Sequence, residues 1–130
     1  MTWIQAQEKI LRKIKEGTDL NSTNTTYRIV LEVRDDISSA RYRYNNETGL
    51  KVQIGKKNSI NIPLDMLQRC YGALSSPKNY DGKFFRKHYP LQAKNHPCHV
   101  HTVGRILVLA GLAKRNEKSY SLKSSLHAGE

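Results

Sequence analysis

The chain has 130 residues, long enough to bury one hydrophobic core without help from disulfides or metals. Its 22 Lys and Arg against 11 Asp and Glu leave a net charge of +11, which points to a polyanionic partner: nucleic acid, an anionic membrane surface or an acidic protein. The apolar run Ile106 to Ala110 is too short to span a bilayer, the start lacks a leader's basic-then-apolar order, and Cys70 and Cys98 make no disulfide framework, so the expectation is a cytoplasmic protein with reduced thiols.

The first element reads as an amphipathic helix. Ile4, Leu11 and Ile14 form a stripe with Trp3 and Ile10 beside it, and Glu8, Lys9, Arg12, Lys13 and Lys15 lie largely opposite. Thr2 and Gln5 have the spacing of a capping box, and Gly17 suits the stop. Asn21 to Thr26 is a polar connector. Period-2 alternation then predicts strands. Tyr27, Ile29, Leu31 and Val33 alternate with Arg28, Val30, Glu32 and Arg34; Tyr42 and Tyr44 alternate with Arg41 and Arg43; Leu50, Val52 and Ile54 alternate with Lys51 and Gln53. Asp35-Asp36, Asn45-Asn46 with Gly49, and Gly55 to Asn58 read as turns, leaving an antiparallel meander of three strands and a short fourth at 59–62. Its polar face would collect Arg28, Arg34, Arg41, Arg43 and Lys51.

The second half reads as helical. Pro63 opens a helix carrying Leu64, Leu67, Tyr71 and Leu74, with Pro77 beyond it. Asp81 to Tyr89 is a short helix closed by Pro90, followed by a loop containing Pro97. Val100 to Leu112 turns Val103, Ile106, Leu107 and Ala110 inward, and Lys114 to Leu122 forms a hairpin about Arg115 to Lys118. The fold class is thus α+β in one domain, 1–123: a helix at 1–17, the meander at 27–62 and a helical region at 63–123. A frayed tail, 124–130, would follow.

Thr102-Val103-Gly104-Arg105-Ile106-Leu107, then Ala110-Gly111-Leu112-Ala113-Lys114-Arg115 and Lys118-Ser119-Tyr120-Ser121-Leu122, resemble the recognition helix and wing of winged helix-turn-helix proteins. The resemblance covers roughly residues 62–123 and departs from the family in the long loop before the third helix and in the added meander. It implies DNA binding, with His99, Thr102 and Arg105 facing the groove and Lys114, Arg115 and Lys118 on the wing. Charge points to the same half: residues 78–123 hold ten Lys and Arg against Asp81 and Glu117, interleaved with Tyr80, Phe84, Phe85, Tyr89 and Tyr120.

The expected function is therefore non-catalytic nucleic-acid binding, DNA before RNA. Lys83, Arg86, Lys87, Lys114, Arg115 and Lys118 would hold phosphates, and Thr102 and Arg105 would approach bases. Arg28, Arg41 and Arg43 of the sheet, with Lys56 and Lys57 at a turn, offer a second basic surface. His96-Pro97-Cys98-His99-Val100-His101 with Cys70 lacks the paired ligand spacing of a structural zinc site, so neither metal nor cofactor is expected. Asp19 with Glu32-Val33-Arg34 faintly resembles a metal-dependent nuclease pattern, with arginine where that pattern has lysine. A small nuclease, or an adaptor or inhibitor whose basic face meets an acidic protein, are the alternatives. No membrane partner is expected, and self-association stays open.

Overall fold

The computed structural model describes residues 2–20, 28–38, 46–76 and 79–123. Helix α1 spans Trp3–Lys13 and begins with the expected capping box: Gln5 N donates to Thr2 Oγ1 at 3.3 Å, and Thr2 N donates to Gln5 Oε1 at 3.0 Å. Its inward stripe is Ala6 and Ile10, continued by Ile14 just beyond the helix, a spacing of four that puts each above the last. Ile4, expected inward, is 70% exposed. The small Ala6 side chain lets the helix approach its neighbours, and this rotates the buried face away from Ile4. Trp3 instead packs beside Tyr71, ring centroids 5.8 Å apart.

Strands β1 (Arg28–Ser38), β2 (Asn46–Ile54) and β3 (Asn58–Pro63) form an antiparallel sheet in the order β1-β2-β3. Val30, Val52 and Ile60 share one inward row, and Leu50 faces Ile62 in the next. The alternation expected of β1 does not hold. Val30, opposite Val52, points inward; the pairing slips between Val30 and Glu32 at Leu31, and Leu31 and Val33 are each 39% exposed although Val33 pairs with the buried Leu50. A second slip, between Arg34 and Ile37, carries the strand straight through Asp35-Asp36, where a turn was expected, and Ile37 is buried beside Gly49, apart from the main core cluster. The strand expected around Tyr42 and Tyr44 falls outside the described residues, and among the described residues this sheet has three strands, where the sequence predicts three to four.

Helix α2 (Leu64–Ala73) starts directly after Pro63, with Leu64, Leu67 and, just beyond its end, Leu74 buried. Then come β4 (Tyr80–Asp81), α3 (Gly82–His88), α4 (Pro90–Asn95), α5 (His99–Leu109), β5 (Ala113–Arg115) and β6 (Ser119–Leu122). Pro90 both ends α3 and opens α4: its fixed φ suits a first helical turn, so the expected loop is largely helix. The hairpin β5–β6 forms as expected, but it gains a third strand, because β4 pairs with β6 to give the order β4-β6-β5.

Helix α5 is the hub. It buries Val103, Ile106 and Leu107 with Ala110 after them, and ends where Gly111 takes φ +82°, the left-handed geometry of a helix stop. A single core cluster joins these residues to α1, the first sheet, α2, α3 and the hairpin. Among the described residues, no helix is long and apolar enough to cross a membrane.

Candidate nucleic-acid interface

The short helix α3 is anchored at its start by Asp81, whose Oδ1 accepts from Phe84 N at 2.9 Å, and by burial of Phe85. With Phe85 inward, Lys83, Arg86 and Lys87 are left exposed. The hairpin sits on α5 through Tyr120, which is buried, and this leaves Lys114, Arg115 and Lys118 exposed along β5 and the turn. Tyr80 joins the two parts: its hydroxyl donates to Val100 O at 2.7 Å, and its ring lies 5.7 Å from that of Tyr120.

Between α3, the start of α5 and the hairpin lies a cleft of ≈ 480 Å³. Lys83 and Arg86 line it from one side, Arg115 and Lys118 from another, and His101 from α5; Asp81 and Glu117 are its carboxylates. Asp81 is engaged in the helix cap. None of the four Lys and Arg side chains is ion-paired to a described residue. Arg115 is steadied over the Tyr120 ring, 5.8 Å from its centroid, and His101 Nδ1 lies 3.2 Å from the Tyr120 hydroxyl. Four basic side chains and two carboxylates thus line a solvent-open cleft, an excess of positive charge that attracts anions. The cleft gathers four of the expected phosphate contacts; Lys87 is exposed on α3 outside the cleft lining, and Lys114 is exposed on β5.

The residues expected to approach bases are placed differently. Thr102 is fully buried, and its hydroxyl donates to Cys98 O at 3.1 Å, closing its hydrogen bond within the helix. Arg105 is half-buried, and its Nε donates to Leu20 O at 2.9 Å, tying α5 to the segment after α1. His99 is buried beside Phe85, ring centroids 5.3 Å apart. Neither of its ring nitrogens has a hydrogen-bond partner of good geometry among the described residues. Burial, then the neighbouring His96, lowers its pKa to about 4, only partly offset by the Asn61 backbone. These three side chains of α5 thus face other parts of the chain: Thr102 bonds within its own helix, His99 packs on Phe85 of α3, and Arg105 meets the segment after α1, which covers a face that the resemblance would leave open.

Arg41 and Arg43 lie outside the described residues, as does the side chain of Arg28. Arg34 binds Asp36 at 2.7 Å and Glu32 at 3.4 Å, so its charge is matched locally; Lys56 and Lys57 are exposed at the β2–β3 turn. That pairing also occupies Glu32, the residue weighed as a nuclease carboxylate, while Asp19 pairs in a backbone bridge with Ile29. Among the described residues, no group of three or more His, Cys, Asp or Glu is placed to hold a metal ion. Cys70 and Cys98 are free thiols, and burial pushes Cys70 up to about 12.

The sequence singles out His101 only within the histidine cluster, and it does not announce strand β4. His101 belongs to the histidine cluster, whose spacing directs attention to metals, and a strand of two residues leaves no periodicity to read. Comparison with protein-family models, curated proteins and solved structures yields no match.

Proposed function

We propose that this chain is a non-catalytic nucleic-acid-binding protein, for DNA before RNA, that grips the phosphate backbone in the cleft between α3, α5 and the β5–β6 hairpin. The observation that carries the reading is the convergence of Lys83, Arg86, Arg115 and Lys118 on one open cleft, none of them ion-paired among the described residues. The element order is compatible with a winged-helix type of binding in which α2 and α3 serve as the supporting helices, α5 as the recognition helix and the hairpin as the wing, with α4 inserted before α5. The contact differs from the resemblance in one respect. With Thr102 buried and Arg105 held by Leu20, the hairpin and α3 take the phosphates, and α5 acts as their platform.

Backbone contacts position a protein on nucleic acid and carry no sequence information directly. The reading therefore entails similar affinity for duplexes of unrelated sequence. Electrophoretic retardation of two such duplexes, with and without Mg²⁺, tests it. Retention of both, without cleavage, is the expected result; Mg²⁺-dependent cleavage would favour a nuclease, and no retention would leave the cleft to an acidic protein.

A further inference from the structure

We infer that a second pocket, adjoining the basic cleft along α3, takes an unstacked nucleobase, which makes single-stranded nucleic acid the substrate class. The inference rests on the nucleic-acid reading above and deepens it. The pocket has a volume of ≈ 440 Å³, within the range of small-ligand sites, and shares Asp81 and Lys83 with the cleft. The helical period explains the junction: Gly82 and Arg86 face the cleft, Phe84, Lys87 and His88 face the pocket, and Lys83 lies on the boundary.

Of the five aromatics in the basic half, Tyr80, Phe85, Tyr89 and Tyr120 are buried in the core, whereas Phe84 keeps one part of its ring in the pocket. That ring is held in place. Tyr80 meets it edge-on at 6.0 Å, and the His88 imidazole lies 4.4 Å away. Arginine can only donate, so the 3.0 Å contact from Arg69 Nη1 makes His88 Nδ1 an acceptor and leaves the proton on Nε2. The imidazole is then neutral, and burial, Arg69 and Lys87 lower its pKa in support. The floor is thus an aromatic pair of fixed orientation.

Around it, Lys83 and Lys87 are exposed on either side of Phe84 along the chain, spaced to hold the phosphates of a nucleotide whose base sits between them. Asn79 lines the rim in a left-handed conformation, φ +59°, which asparagine tolerates better than most residues. Its amide and the Ser76 hydroxyl, which donates to Ala73 O at 2.9 Å and retains acceptor capacity, supply polar groups for a base edge. A duplex keeps its base faces stacked, and extracting one costs binding energy, so a strand with free bases is the better fit.

Fluorescence anisotropy with a short oligothymidine, an abasic oligomer of the same length and a matched duplex tests the inference. The parent protein should bind oligothymidine about five- to a hundredfold tighter than the abasic strand. Phe84→Leu, which keeps apolar bulk but removes the ring, should abolish that difference and leave abasic binding unchanged; Phe84→Tyr should restore it. Equal parent affinity for oligothymidine and the abasic strand would overturn the base pocket while leaving phosphate binding intact, and this comparison needs no variant to fold. A preference for the duplex, or an unchanged ratio in Phe84→Leu, would overturn it as well. Failure to bind any of the three would instead overturn the nucleic-acid reading itself.

Discussion

Gly104 of α5 lies directly beneath the Tyr120 ring of β6: a Cβ placed on it would fall 2.3 Å from Tyr120 Cζ and under 3 Å from both adjacent ring carbons. Here glycine serves close approach, for its backbone is ordinary helix. The contact seats the hairpin on the core, and through Arg115 over Tyr120 it also sets one wall of the basic cleft.

Gly104→Ala should therefore destabilise the protein even though alanine is the better helix former. Propensity alone would stabilise by about 1 kcal/mol. Displacing a buried tyrosine ring costs typically about 1–3 kcal/mol, and the overlap here lies toward the severe end. Urea unfolding should show a net loss of stability, and Tyr120→Ala in the same background should relieve the clash, so the two changes should be strongly non-additive.

Leu107 is fully buried in α5, and Leu107→Ala should lower stability by roughly 2–5 kcal/mol. Denaturant midpoints at constant m-value are the measurement. A loss below about 1 kcal/mol would show that α5 is not the centre of the core.

Arg105 is a clamp between α5 and the segment after α1. Replacing it with alanine removes a charged donor from the Leu20 carbonyl, with an expected loss of roughly 1–2 kcal/mol after allowance for its partial exposure. Affinity for nucleic acid should change little, because Arg105 does not line the cleft. A titration with duplex DNA that lost affinity without any loss of stability would return Arg105 to the interface.

His99 makes stability pH-dependent. Its pKa is about 4 in the folded chain, lowered chiefly by burial, against an ordinary value of 6.5. Above pH 6.5 the ring is neutral in both states, and its titration adds nothing to the pH dependence. Between pH 6.5 and 4 the unfolded chain binds a proton that the folded chain resists, so stability falls as pH falls, by up to about 3 kcal/mol, and levels below pH 4. Thermal unfolding across this window should show the decline, and His99→Leu should flatten it. A parent whose stability is constant from pH 6.5 to 4 would contradict the burial of a neutral imidazole.

Features governed by neighbours in sequence were legible. The Thr2–Gln5 cap, the inward set Val103, Ile106, Leu107 and Ala110, and the hairpin around Asn116 follow from local geometry and the helical period. The exposed cations Lys83, Arg86, Arg115 and Lys118 could be named because long charged side chains stay in water. Their convergence could not, since it depends on how the hairpin docks on α5. The errors have the same origin. Slips at Leu31 and again between Arg34 and Ile37 each change which residues of β1 share a face, and no composition marks them. Thr102 and His99 look solvent-facing on a helical wheel, yet α5 is covered on more sides than an amphipathic stripe implies. Ala6 carries too little hydrophobicity to declare that α1 turns on it.

The most direct test of phosphate binding in the cleft is the salt dependence of duplex affinity, in the parent and in the double variant Arg86→Ala/Arg115→Ala. Both residues are exposed, so the fold should survive their removal. Four to six backbone contacts predict a slope of log affinity against log salt of about −4 to −5, and removal of two should bring it to about −2 to −3 with weaker binding at every salt concentration. A parent slope near zero, or the same slope in parent and double variant, would contradict the account.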